Sequence, residues 1–262
     1  MLWMVVFGAI NLFLLLFTAF FLMPKGSYKK IPFDLKVIIK LFMNQIKPIL
    51  IIIGIVIFHL IEVKFVDPFA TDLVGYDYAN TIANLENGVV IWFSYHWNPI
   101  FLYYFTLVYI VIYPFTLWFS PLYFVIGRKK RALKSLAYGL LLIYMVSLPF
   151  YLFLPITNVY IFYGVNSALE TVIPSVESFF YATTTQNNCL PSLHTAMAIL
   201  VAYCFSLTGN KKLIYFGYFV MVSVLISVIY LSIHWLTDII TGGLLSLGVI
   251  FILRRYIKDD VK

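Results

Sequence analysis

An all-α, polytopic integral membrane bundle of about seven spans, six core spans preceded by an N-terminal one, is the fold this sequence predicts. Three observations predict it: composition, a series of long apolar runs, and the placement of the basic residues. Of 262 residues, 63% are hydrophobic and only 11% are charged. Soluble domains are about 45–50% apolar and about 25% charged, and disordered chains are polar and charge-rich. Both classes are excluded. The length allows several spans of about 20 residues each and leaves no room for a sizeable soluble domain.

The apolar runs fall at about 2–22, 48–66, 99–126, 136–157, 191–208, 213–233 and 238–254. The first lacks the basic leader of a signal peptide and is too long for its apolar core, so it reads as a retained span. The residues therefore divide into an N-terminal span (1–22), a basic interfacial segment (23–47) and a catalytic membrane domain (48–262).

Between the first and second spans lie Lys25, Lys29, Lys30, Lys36, Lys40 and Lys47. Arg128, Lys129, Lys130, Arg131 and Lys134 lie between the third and fourth, and Lys211 and Lys212 between the fifth and sixth. Arg254, Arg255, Lys258 and Lys262 follow the last. All but Lys64 of the 18 basic residues thus share one side, which the positive-inside rule makes cytoplasmic. The N-terminus is then outside and the C-terminus inside. The net charge of +7 is a topology signal, not a nucleic-acid footprint.

Within the basic segment, Pro32–Lys47 has lysines at helical spacing and Val37, Ile38, Leu41, Phe42 and Ile46 on the other face, the pattern of an interfacial helix. On the opposite side of the membrane, residues 67–98 and 158–190 read as long mixed polar and aromatic loops, of a length usually tied to function or disorder. Cys189 and Cys204 form no CxxC pattern, and two cysteines make no disulfide scaffold.

The chemistry is carried by histidines. His234 and Asp238 are four residues apart, one turn on one helix face, where a carboxylate can fix the tautomer of an imidazole. Asp238 opens the last span, where the helix dipole favours an anion; an N-cap role beside a packed histidine is the alternative. His194 follows Pro191 and Ser192, which mark a helix start. It approaches the same leaflet as His234 from a different helix. Two histidines and an Asp at one depth suit phosphoryl transfer, acyl transfer or metal ligation. His-Glu-x-x-His is absent, and Ser192 stands too close to His194 in sequence for a Ser-His-Asp triad. His59, near the end of the second span, reads as packed or hydrogen-bonded. His96, in Tyr95-His96-Trp97-Asn98-Pro99, reads as part of an interfacial aromatic belt, with a headgroup contact as its alternative.

Pro191-Ser192-Leu193-His194, followed by Ser227-x6-His234-x3-Asp238, resembles the type 2 phosphatidic acid phosphatase superfamily over about residues 95–254. Leu193, where that family has Gly, resembles the branch of the inositol phosphorylceramide synthases. The resemblance implies His234 as nucleophile of a phosphohistidine intermediate, Asp238 as its orienting carboxylate and His194 as general acid. It implies no metal and no cofactor. The expected partners are the membrane and a phosphorylated lipid: phosphatidate, a polyprenyl diphosphate or an inositol phospholipid. The chain departs from the family at Val228, where Arg is expected, and in lacking the Lys-x6-Arg-Pro motif. Phosphate charge then falls to Lys64, to amides at the His194 helix start, to Ser192, or to Asn158, Tyr160, Asn187 and Asn188 in the flanking loops.

The expected function is a lipid phosphatase or phosphotransferase at the extracytoplasmic face. An inositol-phosphate transferase is the nearest alternative. A non-catalytic lipid-binding protein, favoured by the missing basic residues, and a metal-dependent enzyme or transporter built on the same histidines also stay open.

Overall fold

The computed structural model describes residues 2–22, 34–180 and 184–258. The described residues are helical, with no strand and a single isolated bridge between Ile156 and Asn188. The chain is an integral membrane protein: five helical segments are long and apolar enough to span, namely Ile46–Val74, Pro99–Ile126, Lys130–Phe153, Lys211–Tyr230 and Leu236–Tyr256. Two shorter apolar helices, Gly8–Leu22 and Leu193–Ser206, occupy the remaining predicted positions.

The first helix, α1 (Leu2–Phe17), ends in a π-helical turn, Thr18–Leu22. Residues 23–33 of the predicted basic segment, with Lys25, Lys29, Lys30 and Pro32, lie outside the described residues. The rest is shorter than a helix over 32–47. Asp34 caps α2 (Leu35–Met43) by accepting from the Lys36 amide, and the chain turns at Asn44–Gln45 before α3 (Ile46–Ile61). Lys47 therefore sits on the next helix. Gln45 anchors this turn by donating to the carbonyl of Val125 at 3.3 Å.

The predicted loop 67–98 is largely helical. α3 runs through a π-helical turn, Glu62–Val66, directly into α4 (Asp67–Val74), which ends at Gly75 with φ of +61°. α5 (Ala79–Glu86) and a 3-10 turn, Ile91–Tyr95, follow. α6 (Pro99–Leu107), capped by Asn98, continues through the π-helical turn Val108–Ile112 into α7 (Tyr113–Ile126). α8 (Lys130–Phe153) returns across the bundle. The second predicted loop likewise holds three short helices: α9 (Val159–Phe162), α10 (Ala168–Val172) and α11 (Val176–Phe180). Mixed polar and aromatic composition, with Pro68, Gly75, Gly88 and Pro174, made both segments look like open loops; many of their polar groups are satisfied by caps and turns, as buried polar groups must be.

The final three helices are α12 (Leu193–Ser206), α13 (Lys211–Tyr230) and α14 (Leu236–Tyr256). α12 is the central helix, packed by α13, α14, α8 and α7. Phe115, Phe124, Leu133, Leu200 and Phe205 are fully buried in the main core around its lower half. At 14 residues and about 1.5 Å each, α12 is shorter than a hydrocarbon core of about 30 Å. The irregular segment before it, residues 184–192, is partly buried, and Thr184, Thr185, Asn188 and Cys189 line a cavity.

Candidate active site

Ser192 starts α12. Its side chain accepts from the Thr195 amide at 3.3 Å, and it is fully buried. Its amide donates to the carbonyl of Asp238 at 3.0 Å, tying the start of α12 to the start of α14. Gly242 permits this approach: a Cβ there would lie 2.5 Å from the Ser192 carbonyl oxygen. Tyr151 of α8 donates to the Pro191 carbonyl at 2.6 Å and fixes the same turn. His194, one residue into α12, is held between the rings of Tyr109 and Tyr113, whose centroids lie 4.8 and 5.3 Å away.

His234 lies in the connection between α13 and α14, with its amide donating to the Val228 carbonyl at 3.1 Å. Asp238 stands in the first turn of α14. One of its oxygens, Oδ2, accepts from the Trp235 amide at 2.8 Å and lies 3.2 Å from His234 Nδ1. Asp238 is therefore not the N-cap, a position held by Trp235; it is the third residue of α14, and one oxygen both closes the capping box and faces His234. The other, Oδ1, is buried without a hydrogen-bond partner. His234 Nε2 in turn lies 3.1 Å from His194 Nδ1. The three predicted residues thus form a continuous line, Asp238–His234–His194, drawn from α14, the connection between α13 and α14, and α12.

The proton positions along that line follow from the charge on Asp238. With Asp238 ionised, His234 carries its proton on Nδ1 and leaves Nε2 as a lone pair; His194 then donates from Nδ1. Burial, opposed by a backbone hydrogen bond at Cys189, pushes the His234 pKa down from 6.5 to about 4. Its free nitrogen is therefore unprotonated at neutral pH.

The histidine pair lines one end of a cavity of about 360 Å³. Asn158 and Asn188 line the same cavity, as do Thr184, Thr185, Tyr151 and Cys189. Asn158 also caps α9, accepting from the Ile161 amide at 3.1 Å. Asn188 donates to Glu62 at 3.3 Å. The other predicted substrate-binding residues stand elsewhere. Tyr160 donates its hydroxyl proton to Glu177 at 2.7 Å, Asn187 donates to Thr71 at 2.8 Å, and Lys64 is exposed with its ammonium over the Phe65 ring. None of these three lines the cavity, and its lining holds no Lys or Arg. The position of the missing family arginine is explained by packing: Val228 is fully buried in an apolar cluster with Tyr109, Leu231 and Ile233.

Several groups that sequence reading passed over support the site. Glu86, at the end of α5, accepts from the amides of Leu236 and Thr237 at 3.0 and 2.7 Å and from the Thr237 hydroxyl at 2.8 Å. It caps the helix that carries Asp238. Glu62 is fully buried and accepts from Tyr144 at 2.9 Å. His59 lies 3.2 Å from the Tyr144 hydroxyl and also lines the cavity, so its hydrogen-bonded reading holds. His96 stacks on Trp92 at 4.4 Å and lies 2.8 Å from its carbonyl, on the exposed surface. The signal for Glu62 and Glu86 was their acidity in so apolar a chain; their partners are 82 and 150 residues away. Cys189, His234 and Asp238 have donor atoms within 4.8 Å of one another, a spacing able to hold a metal ion. Burial, reinforced by Asp238 and Asp77, raises the Cys189 pKa and keeps the thiol protonated.

The sequence profile of the PAP2 superfamily matches residues 166–262, a stretch holding His194, His234 and Asp238. Its members are usually phosphatases, and the match supports phosphatase or phosphotransferase chemistry on a lipid-like substrate. No curated protein and no solved structure matches the chain.

Proposed function

We propose that the protein is a membrane lipid phosphatase or phosphotransferase working through a phosphohistidine at His234. The observation that carries this reading is the Asp238–His234–His194 line, at 3.2 and 3.1 Å, opening at one end of a cavity in the bundle.

His234 Nε2 attacks phosphorus. The P–N bond forms as the bond to the leaving oxygen breaks, and the positive charge on the ring is stabilised through Nδ1–H by Asp238. His194 takes up the proton carried in by the phosphate monoester monoanion and, as the imidazolium, protonates the leaving alkoxide. The now neutral His194 takes a proton from water or from an acceptor alcohol, which attacks phosphorus and regenerates His234. Water makes the enzyme a hydrolase and an alcohol makes it a transferase. Each such proton transfer is worth about 10²–10⁴ in rate. Asn158, Asn188, Thr184, Thr185 and the first turn of α12 meet the phosphoryl oxygens, since helix N-termini bind phosphate without a charged side chain. The cycle needs no metal, and its histidines stand at the extracytoplasmic edge of the bilayer.

The test is phosphate release from detergent-purified protein with a panel of phosphorylated lipids, alongside trapping of the phosphoenzyme. Release, and an acid-labile protein-bound phosphate absent from His234→Ala, are expected. EDTA is expected to leave the rate unchanged; loss on chelation would assign the Cys189, His234 and Asp238 donors to a metal instead. Neither release nor adduct in the wild type, with an acceptor alcohol supplied, would refute the proposal.

A further inference from the structure

The cavity has a second arm that the phosphoryl chemistry does not use. From the histidine pair it runs down α8 toward the basic end of the bundle, walled by Ile52, Ile55 and Val56 of α3, Leu117 of α7, and Leu136 and Leu140 of α8. From Tyr151 to Leu136 the lined length is about 22 Å at 1.5 Å per residue, and the apolar part below Tyr144 is about 12 Å. Half a hydrocarbon core is about 15 Å. The arm therefore descends through most of one leaflet.

It is open at the side and closed at the bottom. Val56 lines the arm and is 54% exposed, which places the opening along α3, where lipid would lie. At the lower end Ile52, Leu117 and Leu136 merge with the main core, and α2 lies across α3 and α7. All six walls precede the stretch that matches the superfamily, 166–262.

We infer that this arm is a tail slot: it takes one hydrocarbon chain of the substrate lipid, sideways along α3, while the phosphate stands at His234. The inference rests on the proposed lipid reaction. Lipid tails are as apolar as Leu, so a chain gains little by leaving the bilayer for the slot. The slot's contribution is position. A seated chain sets the depth and direction of the phosphate relative to Nε2, and misplacement by about 1 Å can cost about 100-fold in rate. The walls, in the unmatched part of the chain, then select the tail, while the matched stretch performs the chemistry.

The experiment compares a long-chain phosphorylated lipid with a short-chain, water-dispersed analogue of the same headgroup, in wild type and in Ile55→Trp and Leu140→Trp. Both positions are half-buried, so the larger ring fills the arm without replacing a core residue. The ratio of kcat/KM for long over short chains is expected to fall roughly ten- to a hundred-fold in each variant. An unchanged ratio in both would overturn the slot. In parallel, a phosphorylated lipid carrying a photoreactive diazirine in its tail is crosslinked to the wild-type protein. Adducts at Ile52, Ile55, Leu117, Leu136 or Leu140 are expected; adducts confined to lipid-facing positions such as Ile53, Ile57 and Phe58 would overturn the slot. Crosslinking does not need turnover. Absence of phosphate release with adducts in the arm would therefore fault the reaction, whereas release without them would fault the slot.

Discussion

At His234 the interior does what a free imidazole in water cannot. Burial lowers its pKa to about 4, so protonation removes the nucleophile only as pH falls through that value. The acid limb of kcat/KM is expected below about pH 5; a limb near 6.5 would mean that the ring is solvated during turnover. Asp238→Asn keeps the shape but cannot stabilise the imidazolium, and a loss of roughly 10²–10⁴ in kcat is expected, with the protein still folded by thermal unfolding. His194→Ala removes the proton of the leaving group. Its activity should recover preferentially on substrates whose leaving alcohols are more acidic, an effect that simple misfolding would not give.

The catalytic line depends on how α14 begins. Glu86 accepts three hydrogen bonds there at 2.7 to 3.0 Å, from a segment far away in the chain. Glu86→Ala should cost about 0.5–2 kcal/mol of stability, as loss of a helix cap does. It should also lower kcat more than it raises KM, because Asp238 loses its register. Glu86→Gln keeps an acceptor oxygen and is expected to restore part of the rate. If both variants match the wild type in kcat, the cap is structural only. Gly242→Ala pushes a methyl against the Ser192 carbonyl at 2.5 Å. Overpacking of this kind costs about 1–3 kcal/mol, and here it parts the start of α12 from that of α14. Measured activity should therefore drop further than the melting temperature alone explains.

Across the described residues, every Lys and Arg but Lys64 lies at one end of the bundle and the histidines at the other. On the proposed topology, drawn from the positive-inside rule, Arg128–Lys134 and Lys211–Lys212 face the cytoplasm. A single cysteine placed at Asn210, in a background lacking Cys189 and Cys204, should react with a membrane-impermeant maleimide only from the cytoplasmic side. One at Ser175, exposed between α10 and α11, should react only from the other. The reverse labelling would place the active site inside the cell. Between these ends α12 is shorter than the other core helices, and the 184–192 segment before it forms part of the wall of the site.

Composition and periodicity determined the membrane class, the approximate positions of the apolar helices and the helix start at Ser192, while the last helix starts two residues before Asp238. They could do so because hydrophobic runs, caps and charge placement are local properties, written within about twenty residues of where they act. The spacing of His234 and Asp238 also carried their pairing, since one helical turn joins them. His194 was legible as a helix-start histidine, but its 3.1 Å contact with His234 depends on two helices meeting at Gly242, which no local pattern states. The same holds for what sequence reading assigned to the wrong surroundings. Tyr160 turns to Glu177, and Lys64 faces outward. The stretches read as loops fold into short helices, and Glu62 and Glu86 become buried acceptors. Only the tertiary structure decided those, because a long-range hydrogen bond or a cavity wall is fixed by which helices pack together, and packing joins residues that the chain keeps far apart.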